Sequence, residues 1–456
     1  MRSFKHGVHP ADGKALTADA AIGAFRPTGE AVYPLAQHIG APAKPVVAVG
    51  DRVLVGQMLA EPGGFMSTAI CSAVSGTVKA IEPRRTINGA SVMSVVIDND
   101  GAFETMPEYG QERDPATLSN EEILNIIRDA GIVGQGGAGF PTHVKLTMKP
   151  GVSPDTVIVN AAECEPYLTS DYRMMMEMTD KLVAGLEIVL QLFPDARGVF
   201  GIETNKPQAI RLLTEKTADK ARISVMPLKV KYPQGGERML IHAVTGRDIC
   251  SSQLPINAGC VVINVSTVVS IFNAVCLHIP QITTVMTVTG DAAATPCNLA
   301  VPVGSDHAEV LAAGGGFKTE PEKIISGGPM MGVAMTDLHV PVTKTSSSIL
   351  GMVHDEVAAF EPTACIRCGR CVEACPEMLV PTLLAEYADA ADLAGFEAHN
   401  GMECIECGCC TFVCPAKRRL TQSFKYARSA VAAERRRKAA EEKKKQEEAA
   451  KGEIKV

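Results

Sequence analysis

The chain has no excess of basic residues: 44 Lys and Arg stand against 51 Asp and Glu, a formal net charge of −7 at pH 7. No basic excess is available to neutralise a run of phosphates, which argues against nucleic acid as a main partner. No secretory leader is expected either, because the opening MRSFKHGVHPADGKALT shows no apolar core region. A credible membrane span is also lacking. The longest stretch free of Asp, Glu, Lys and Arg runs over residues 249–290, long enough to cross a bilayer. Pro255, Asn257, Asn264, Asn273, His278, Pro280 and Gln281 interrupt it, and it is rich in β-branched residues. It predicts a buried strand–helix–strand instead. The expectation is a soluble chain able to dock on a membrane complex.

At 456 residues the chain exceeds one core, which predicts several domains. Fifteen cysteines in that length do not make a small disulfide scaffold. Nine of them fall within residues 365–414, a grouping that points to metal ligation in a reducing compartment. The other six, Cys71, Cys164, Cys250, Cys260, Cys276 and Cys297, are scattered and read mostly as small buried hydrophobes.

Residues 31–100 read as short strands joined by Gly turns. The stretch Gly50, Asp51, Val53, Gly56, Gln57 and the later Ser75, Gly76, Val78 resemble a biotinyl/lipoyl-type barrel. The carrier lysine of such a barrel is absent: the hairpin tip reads FMST at 65–68, which predicts a structural role. From 115 to 275 the pattern alternates. SNEEILNIIRDAG predicts a helix opened by a Ser119–Glu122 capping box. TVIVN, ARGVFGIET and ISVMPLK read as strands, DKLVAGLEIVLQLF and KPQAIRLLTEKTAD as helices, so a largely parallel α/β sheet is expected. Residues 280–345 return to short strands. The tail AAERRRKAAEEKKKQEEAAK reads as a solvated or frayed helix, with docking on a partner as the alternative.

Two runs share one spacing: Cys365-x2-Cys368-x2-Cys371-x3-Cys375-Pro376 and Cys404-x2-Cys407-x2-Cys410-x3-Cys414-Pro415. This is the bacterial two-cluster ferredoxin pattern, in which three close cysteines hold one cluster and the fourth ligates the other. One 4Fe–4S cluster is therefore expected on Cys365, Cys368, Cys371 and Cys414, and the second on Cys404, Cys407, Cys410 and Cys375. Cys409 is surplus, at the place of Arg370. Zinc is the alternative, but its sites pair two CxxC arms and need four ligands in all.

GIVGQGGAGFPTHVKL, residues 131–146, carries Gly134, Gly136, Gly137 and Gly139. Glycines there let the backbone approach a ligand and aim N–H groups at an anion, and Lys145 adds charge for a phosphate. The loop is neither a dinucleotide fingerprint nor a Walker loop. A demanding turn is the competing reading. Asn160, Glu163 and Glu165 follow a predicted strand, where ligands of open α/β sheets bind, and KYPQGGE offers Tyr232 and Glu237. Together these stretches resemble the flavin subunit of respiratory complex I. The resemblance implies that the glycine loop and Lys145 hold FMN. It implies that Asn160, Glu163, Glu165, Tyr232 and Glu237 line the flavin and nicotinamide sites, that Phe140 stacks on the nicotinamide, and that Asn264 and Thr267 belong to a further flavin-contacting stretch. Gln135, Ala162, Gly236 and His143 depart from that family's pattern.

The full order, from FKHGVHPADGKALT through the barrel and flavin-type loop to the paired cysteine runs, is similar to the RnfC family, the C subunits of Rnf-type ion-translocating ferredoxin:NAD oxidoreductases. The resemblance implies an α/β multidomain chain. It divides into an N-terminal region with a barrel-sandwich-like β domain (1–105), an FMN/NAD(H)-binding α/β domain (106–279), a β-grasp-like module (280–345), a ferredoxin-like two-cluster helical module (346–425) and a charged helical tail (426–456). It also implies two 4Fe–4S clusters, non-covalent FMN and NAD(H) as substrate. The partners would be the membrane and peripheral subunits of the complex, with ferredoxin reached through another subunit. The location would be the cytoplasmic face of the membrane, in a peripheral position. A cobalamin reductase-like flavoprotein of a bacterial microcompartment and a non-catalytic iron–sulfur relay are the alternatives.

Overall fold

The computed structural model describes residues 2–137 and 139–453, with side chains to residue 442. The chain forms two compact units. The first takes in His9–Ile249 and Gln253–Asp355; the second holds Phe4–Val8, Cys250–Ser252 and the chain from Glu356 on.

The first unit begins as a barrel-like pair of sheets. Four strands lie in the order Ala31–Pro34, Ser91–Asn99, Gly76–Arg85, Arg52–Val53, and three in the order Lys44–Pro45, Met58–Glu61, Ile70–Cys71. Tyr33, Leu59, Ile70, Val78, Val95 and Ile97 fill the space they enclose. The hairpin tip is docked rather than free. Thr68 Oγ1 donates to Arg128 O at 2.7 Å, Ala69 N donates to the same carbonyl at 3.2 Å, and His143 Nε2 lies 3.2 Å from Phe65 O. A tip tied at three points serves as a structural wedge and cannot swing as a carrier arm.

The helix expected at the capping box is Asn120–Asp129, with the box formed in both directions: Ser119 N reaches Glu122 Oε2 at 2.8 Å, and Glu122 N reaches Ser119 Oγ at 3.3 Å. Four parallel strands follow, ordered Ile223–Leu228, Arg197–Glu203, Thr156–Ala161, Cys260–Asn264. Alternation puts Val157, Val159, Phe200, Ile202, Val261 and Ile263 into one core with helices Thr179–Leu192 and Val265–Leu277. Ile158, Val199, Cys260 and Val262 face the other way, onto helix Glu237–Thr245. The uncharged run 249–290 is resolved as strand Cys260–Asn264, helix Val265–Leu277 and strand Thr283–Thr289, as its sequence predicts. The helix is 13 residues, about 20 Å, and a bilayer core needs about 30 Å. Among the described residues no helix is long and apolar enough to cross a membrane.

A β-grasp-like sheet completes the unit. Cys297–Pro302 and Thr283–Thr289 form a hairpin, helix His307–Ala313 crosses over, and Ser348–Met352 returns parallel to Thr283–Thr289 and antiparallel to Lys323–Ser326. The central strand thus lies beyond the 280–345 read from sequence, because SILGM is a short apolar run just ahead of the cysteines. Ile22–Ala24 adds an edge beside Cys297–Pro302.

Lys344 is a buried joint in this unit, 1% exposed. Its ammonium donates to Ala69 O at 2.7 Å and to Gly131 O at 2.6 Å, tying the barrel to the start of the glycine loop. Burial lowers its pKa from 10.5 to about 8. The unfolded chain keeps this proton to about pH 10.5 and the folded chain releases it near 8, so stability rises with pH in between. Below pH 8 both states hold the proton and the cost is constant. Urea midpoints of wild type and Lys344→Met, compared at pH 8 and 10.5, should show the wild type gaining up to about 3 kcal/mol on the variant. Parallel pH profiles would contradict this account.

In the second unit, Leu384, Ala385, Phe396, Leu420, Phe424 and Val431 pack with Cys371, Cys375 and Cys410. The last helix, Leu420–Glu453, starts inside this core, and its charged continuation is exposed through residue 442. Arg428 and Arg435 pair with Glu406 and Glu397. The tail expected at 426–456 is therefore the continuation of a packed helix; residues 454–456 lie outside the described residues. Two short segments distant in sequence join this unit. Gly7 N donates to Ala374 O at 3.1 Å, and Ser251 N donates to Glu403 Oε2 at 2.7 Å.

Candidate functional site

The parallel sheet creates the first site. From Thr156–Ala161 the chain winds outward through Arg197–Glu203 and Ile223–Leu228, then returns to lay Cys260–Asn264 on the opposite side. Winding reverses between Thr156–Ala161 and Cys260–Asn264, and ligands of open α/β sheets bind beyond the carboxyl ends of strands at such a reversal. Asn160 and Asn264 are register partners there.

The glycine loop crosses this point. Gly134 N donates to Phe140 O at 2.8 Å, which closes the loop; Phe140 itself is half-buried. Gln135 N donates to Thr267 Oγ1 at 3.0 Å, and the Gln135 amide donates to Ser270 Oγ at 2.9 Å. The side chain that departs from the flavin-subunit pattern is thus spent on fixing the loop to helix Val265–Leu277. Gly136 has φ of 72°, and a Cβ on it would stand 3.1 Å from the Asn264 amide nitrogen. Gly139 is likewise left-handed, at φ 68°. A Cβ on Gly137 would meet nothing within 4 Å, so this glycine borders open space. Lys145 Nζ lies 2.9 Å from Val262 O and 3.2 Å from Glu237 Oε1, so its charge is partly balanced within the protein.

The turn after Thr156–Ala161 supplies the carboxylates. Asn160 Nδ2 donates to Gly235 O at 2.8 Å, joining this turn to the KYPQGGE stretch. Glu163, at φ 46°, accepts Asp171 N at 2.7 Å and Tyr172 N at 3.3 Å through Oε1. Its Oε2 is buried and accepts no hydrogen bond. Glu165 Oε1 accepts Met330 N at 2.7 Å and Met331 N at 3.0 Å, and Tyr232 also bonds this carboxyl. Burial pushes Glu165 above the ordinary carboxylate range, and these bonds oppose the shift. Of the candidates read from sequence, Asn160, Asn264, Gly136 and Thr267 meet at the carboxyl end of the sheet, Glu165 and Tyr232 bond on the turn beyond it, and Lys145 pairs with Glu237. Asn264, Thr267 and Lys145 also carry structural duties there.

Several members of the site carry no local signal. Asp171, on helix Ser170–Glu177, accepts Asn264 Nδ2 at 2.7 Å and Ser266 Oγ at 2.9 Å. Burial raises its pKa to about 6, with Glu163 adding to the rise. Lys206 is buried 3.7 Å from Glu203 and donates to Ala162 O at 2.6 Å; burial lowers the lysine and raises the glutamate. Cys164 Sγ accepts Gly235 N at 3.2 Å. Each is joined to the site by tertiary contacts that spacing along the chain does not reveal. The residues present fit a flavin phosphate and ribityl chain: left-handed glycines, one glycine facing open space, a cation, and a buried carboxylate oxygen that accepts no hydrogen bond.

The second candidate site lies in the cysteine unit. Cys365, Cys368, Cys371 and Cys414 line one recess, and Cys375, Cys404, Cys407 and Cys410 line another. These are the crossed sets that the ferredoxin spacing predicts. Cys409 lines the second recess as well and is fully buried. The two runs repeat one backbone path. Arg367 and Glu406, Gly369 and Gly408, and Met378 and Lys417 all have positive φ, each pair offset by the 39 positions that separate Cys365 from Cys404. Arg367 N and Glu406 N each lie 3.4 Å from the sulfur of Cys365 and Cys404, respectively. Hydrogen bonds to cysteine sulfur are one of the protein's means of tuning a cluster. Among the described residues no three His, Cys, Asp or Glu side chains converge on a single-ion position; each recess is ringed by thiols from both runs.

Comparison with known proteins gives three family matches along the chain: an RnfC barrel sandwich hybrid domain over residues 2–102, a Nuo51 FMN-binding domain over 127–273 and a 4Fe-4S dicluster domain over 357–415. The C subunit of the proton-translocating ferredoxin:NAD(+) oxidoreductase complex of Clostridium ljungdahlii is 45% identical over 432 residues, 94% of each chain. The C subunit of the Na(+)-translocating ferredoxin:NAD(+) oxidoreductase complex of Acetobacterium woodii is 42% identical over 436 residues, 95% of this chain and 98% of that one. Among solved structures, a chain of an NAD+-reducing [NiFe]-hydrogenase in the air-oxidized state matches with a TM-score of 0.48 and 20% identity, over 63% of this chain and 55% of the other.

Proposed function

Because the chain belongs to the RnfC family of Rnf-type ion-translocating ferredoxin:NAD oxidoreductases, we propose that it is the NAD(H)-facing electron-transfer subunit of such a complex. The observation that carries this reading is the pairing, in one chain, of a flavin-type glycine loop at a sheet reversal with two cysteine-lined recesses, each drawing on both cysteine runs. FMN, when bound, supplies the exchange between the two-electron hydride of NADH and the single electrons that iron–sulfur clusters carry.

The residues that would hold FMN are Gly134, Gly136, Gly137, Gly139, Lys145, Asn160, Glu163, Asn264 and Thr267. Phe140, Glu165, Tyr232 and Glu237 would face the nicotinamide. The two cysteine sets would each hold a 4Fe–4S cluster, exchanging electrons with other redox subunits and, through one of them, with ferredoxin. No side chain is required as a general acid or base, so the protein's work is to bind and orient. Ion translocation falls to membrane subunits, and this chain sits against them peripherally on the cytoplasmic face.

Anaerobic purification with metal and flavin analysis tests this directly. Two cubanes and one flavin site give about eight irons and about one FMN per chain. NADH should reduce an artificial dye through the protein. Iron near half that value would remove one cluster, and a flavin-free protein that leaves NADH unoxidised would remove the flavoprotein reading.

A further inference from the structure

The HPADGKAL stretch, residues 9–16, marks the N-terminus in sequence yet has no assigned part in the chemistry. In the structure it lies under the Glu163–Glu165 turn. Lys14 is 8% exposed. Its ammonium donates to Glu165 O at 3.0 Å and to Leu168 O at 2.5 Å, and stands 3.7 Å from Glu163 Oε2. One buried cation thus grips both ends of the turn and faces the carboxylate oxygen that accepts no hydrogen bond.

The neighbours of Lys14 reinforce the grip. Tyr167 N donates to Asp12 O at 2.6 Å. Gly13 has φ of 59°, and a Cβ there would lie 2.5 Å from the Tyr167 ring, so only glycine lets the two segments meet this closely. Thr17 and Thr169 share a hydroxyl bond of 2.7 Å. Within the clamped turn, Glu163 and Tyr167 hold φ of 46° and 68°, a region that non-glycine residues enter only when their surroundings impose it.

We propose that Lys14 is a positioning residue for the flavin and nicotinamide edge of the site, acting through the Glu163–Leu168 turn and above all through the Glu163 carboxylate. The inference rests on the functional reading above and adds to it a role for the N-terminal segment. Without the ammonium, Glu163 is a buried carboxylate facing no cation from this segment, and the carbonyls of Glu165 and Leu168 lose their donor. The turn then relaxes toward ordinary dihedrals and carries Glu163 and Glu165 off their places. Loss of placement weakens binding of NADH more than it slows turnover at saturation.

The test is a double-mutant cycle on the assembled complex, with Lys14→Met, Glu163→Gln and the pair, read as NADH-driven dye reduction with flavin and iron content measured alongside. Lys14→Met should raise KM for NADH about tenfold or more, with kcat within about threefold and iron unchanged. In the Glu163→Gln background the same substitution should change KM by less than about threefold, because the charge it balanced is gone. Lys14→Arg should recover most of the loss. If Lys14→Met fails to assemble, the pair should recover iron and flavin; failure of the pair to do so overturns the coupling. Equal effects of Lys14→Met in both backgrounds, or an unchanged KM, overturn the inference while leaving the functional reading intact. A wild type without flavin or NADH oxidation overturns both.

Discussion

Cys410→Ser should cost the protein about four of its eight irons, whereas Cys409→Ser should keep them all. Both thiols line the recess that also holds Cys375, Cys404 and Cys407, so proximity does not separate them. Register does. Cys410 stands 39 positions after Cys371, the same offset as Cys404 from Cys365 and Cys407 from Cys368, and Cys409 corresponds to Arg370. The two cysteines begin helix Cys409–Phe412, where successive side chains point about 100° apart, so both cannot address one iron. Cys409 is then a fully buried thiol beside the ligand set, bonded to the Cys407 side chain, and not a member of that set. Iron analysis with low-temperature EPR of the reduced protein reads the outcome. Iron loss in the Cys409 variant, with retention in the Cys410 variant, would reverse the assignment.

Gly137→Val should strip flavin from the protein while leaving its fold in place. The backbone at 137 does not have positive φ, and a Cβ there meets nothing within 4 Å. An ordinary exposed substitution of this kind changes stability by about 0.5 kcal/mol or less. A branched side chain in the space where the loop approaches its ligand is another matter. Overpacking costs about 1–3 kcal/mol, a factor of roughly 5–150 in affinity. Flavin per chain after gel filtration should fall well below one, with iron unchanged and the thermal midpoint equal to that of flavin-free wild type. Gly136→Val is the informative contrast. Its strained φ and the Asn264 amide 3.1 Å away make it damage the loop itself, so it should lose both flavin and stability. A fully flavinated Gly137 variant would place the ligand elsewhere.

The glycine loop, the Asn160–Glu165 turn and the eight cysteines were open to reading because their chemistry is written in short spacings. Helix Asn120–Asp129 was open for the same reason: a capping box spans four residues. The β-grasp-like sheet was legible in kind but not in extent, since its central strand Ser348–Met352 is set by partners some 25 and 60 positions upstream. Asp171, Lys206 and Lys14 were not legible as parts of the site. Nothing near them in sequence distinguishes a buried charge from the solvated charges that surround most lysines and carboxylates.

By itself, then, the amino-acid order determined the cofactor-type motifs, the order of the modules and the periodicities of the parallel sheet, all of which depend on neighbours within a few residues. Only the tertiary structure decided which charges are buried, that Cys409 lies buried beside the second cysteine set, and that the barrel's hairpin tip is a wedge against Arg128 and His143. Those outcomes depend on desolvation and on contacts between segments far apart in the chain, or on the folding-back of one cysteine run upon the other. In the site, Lys14 meets Glu163 only because the N-terminal segment packs beneath the turn that carries it.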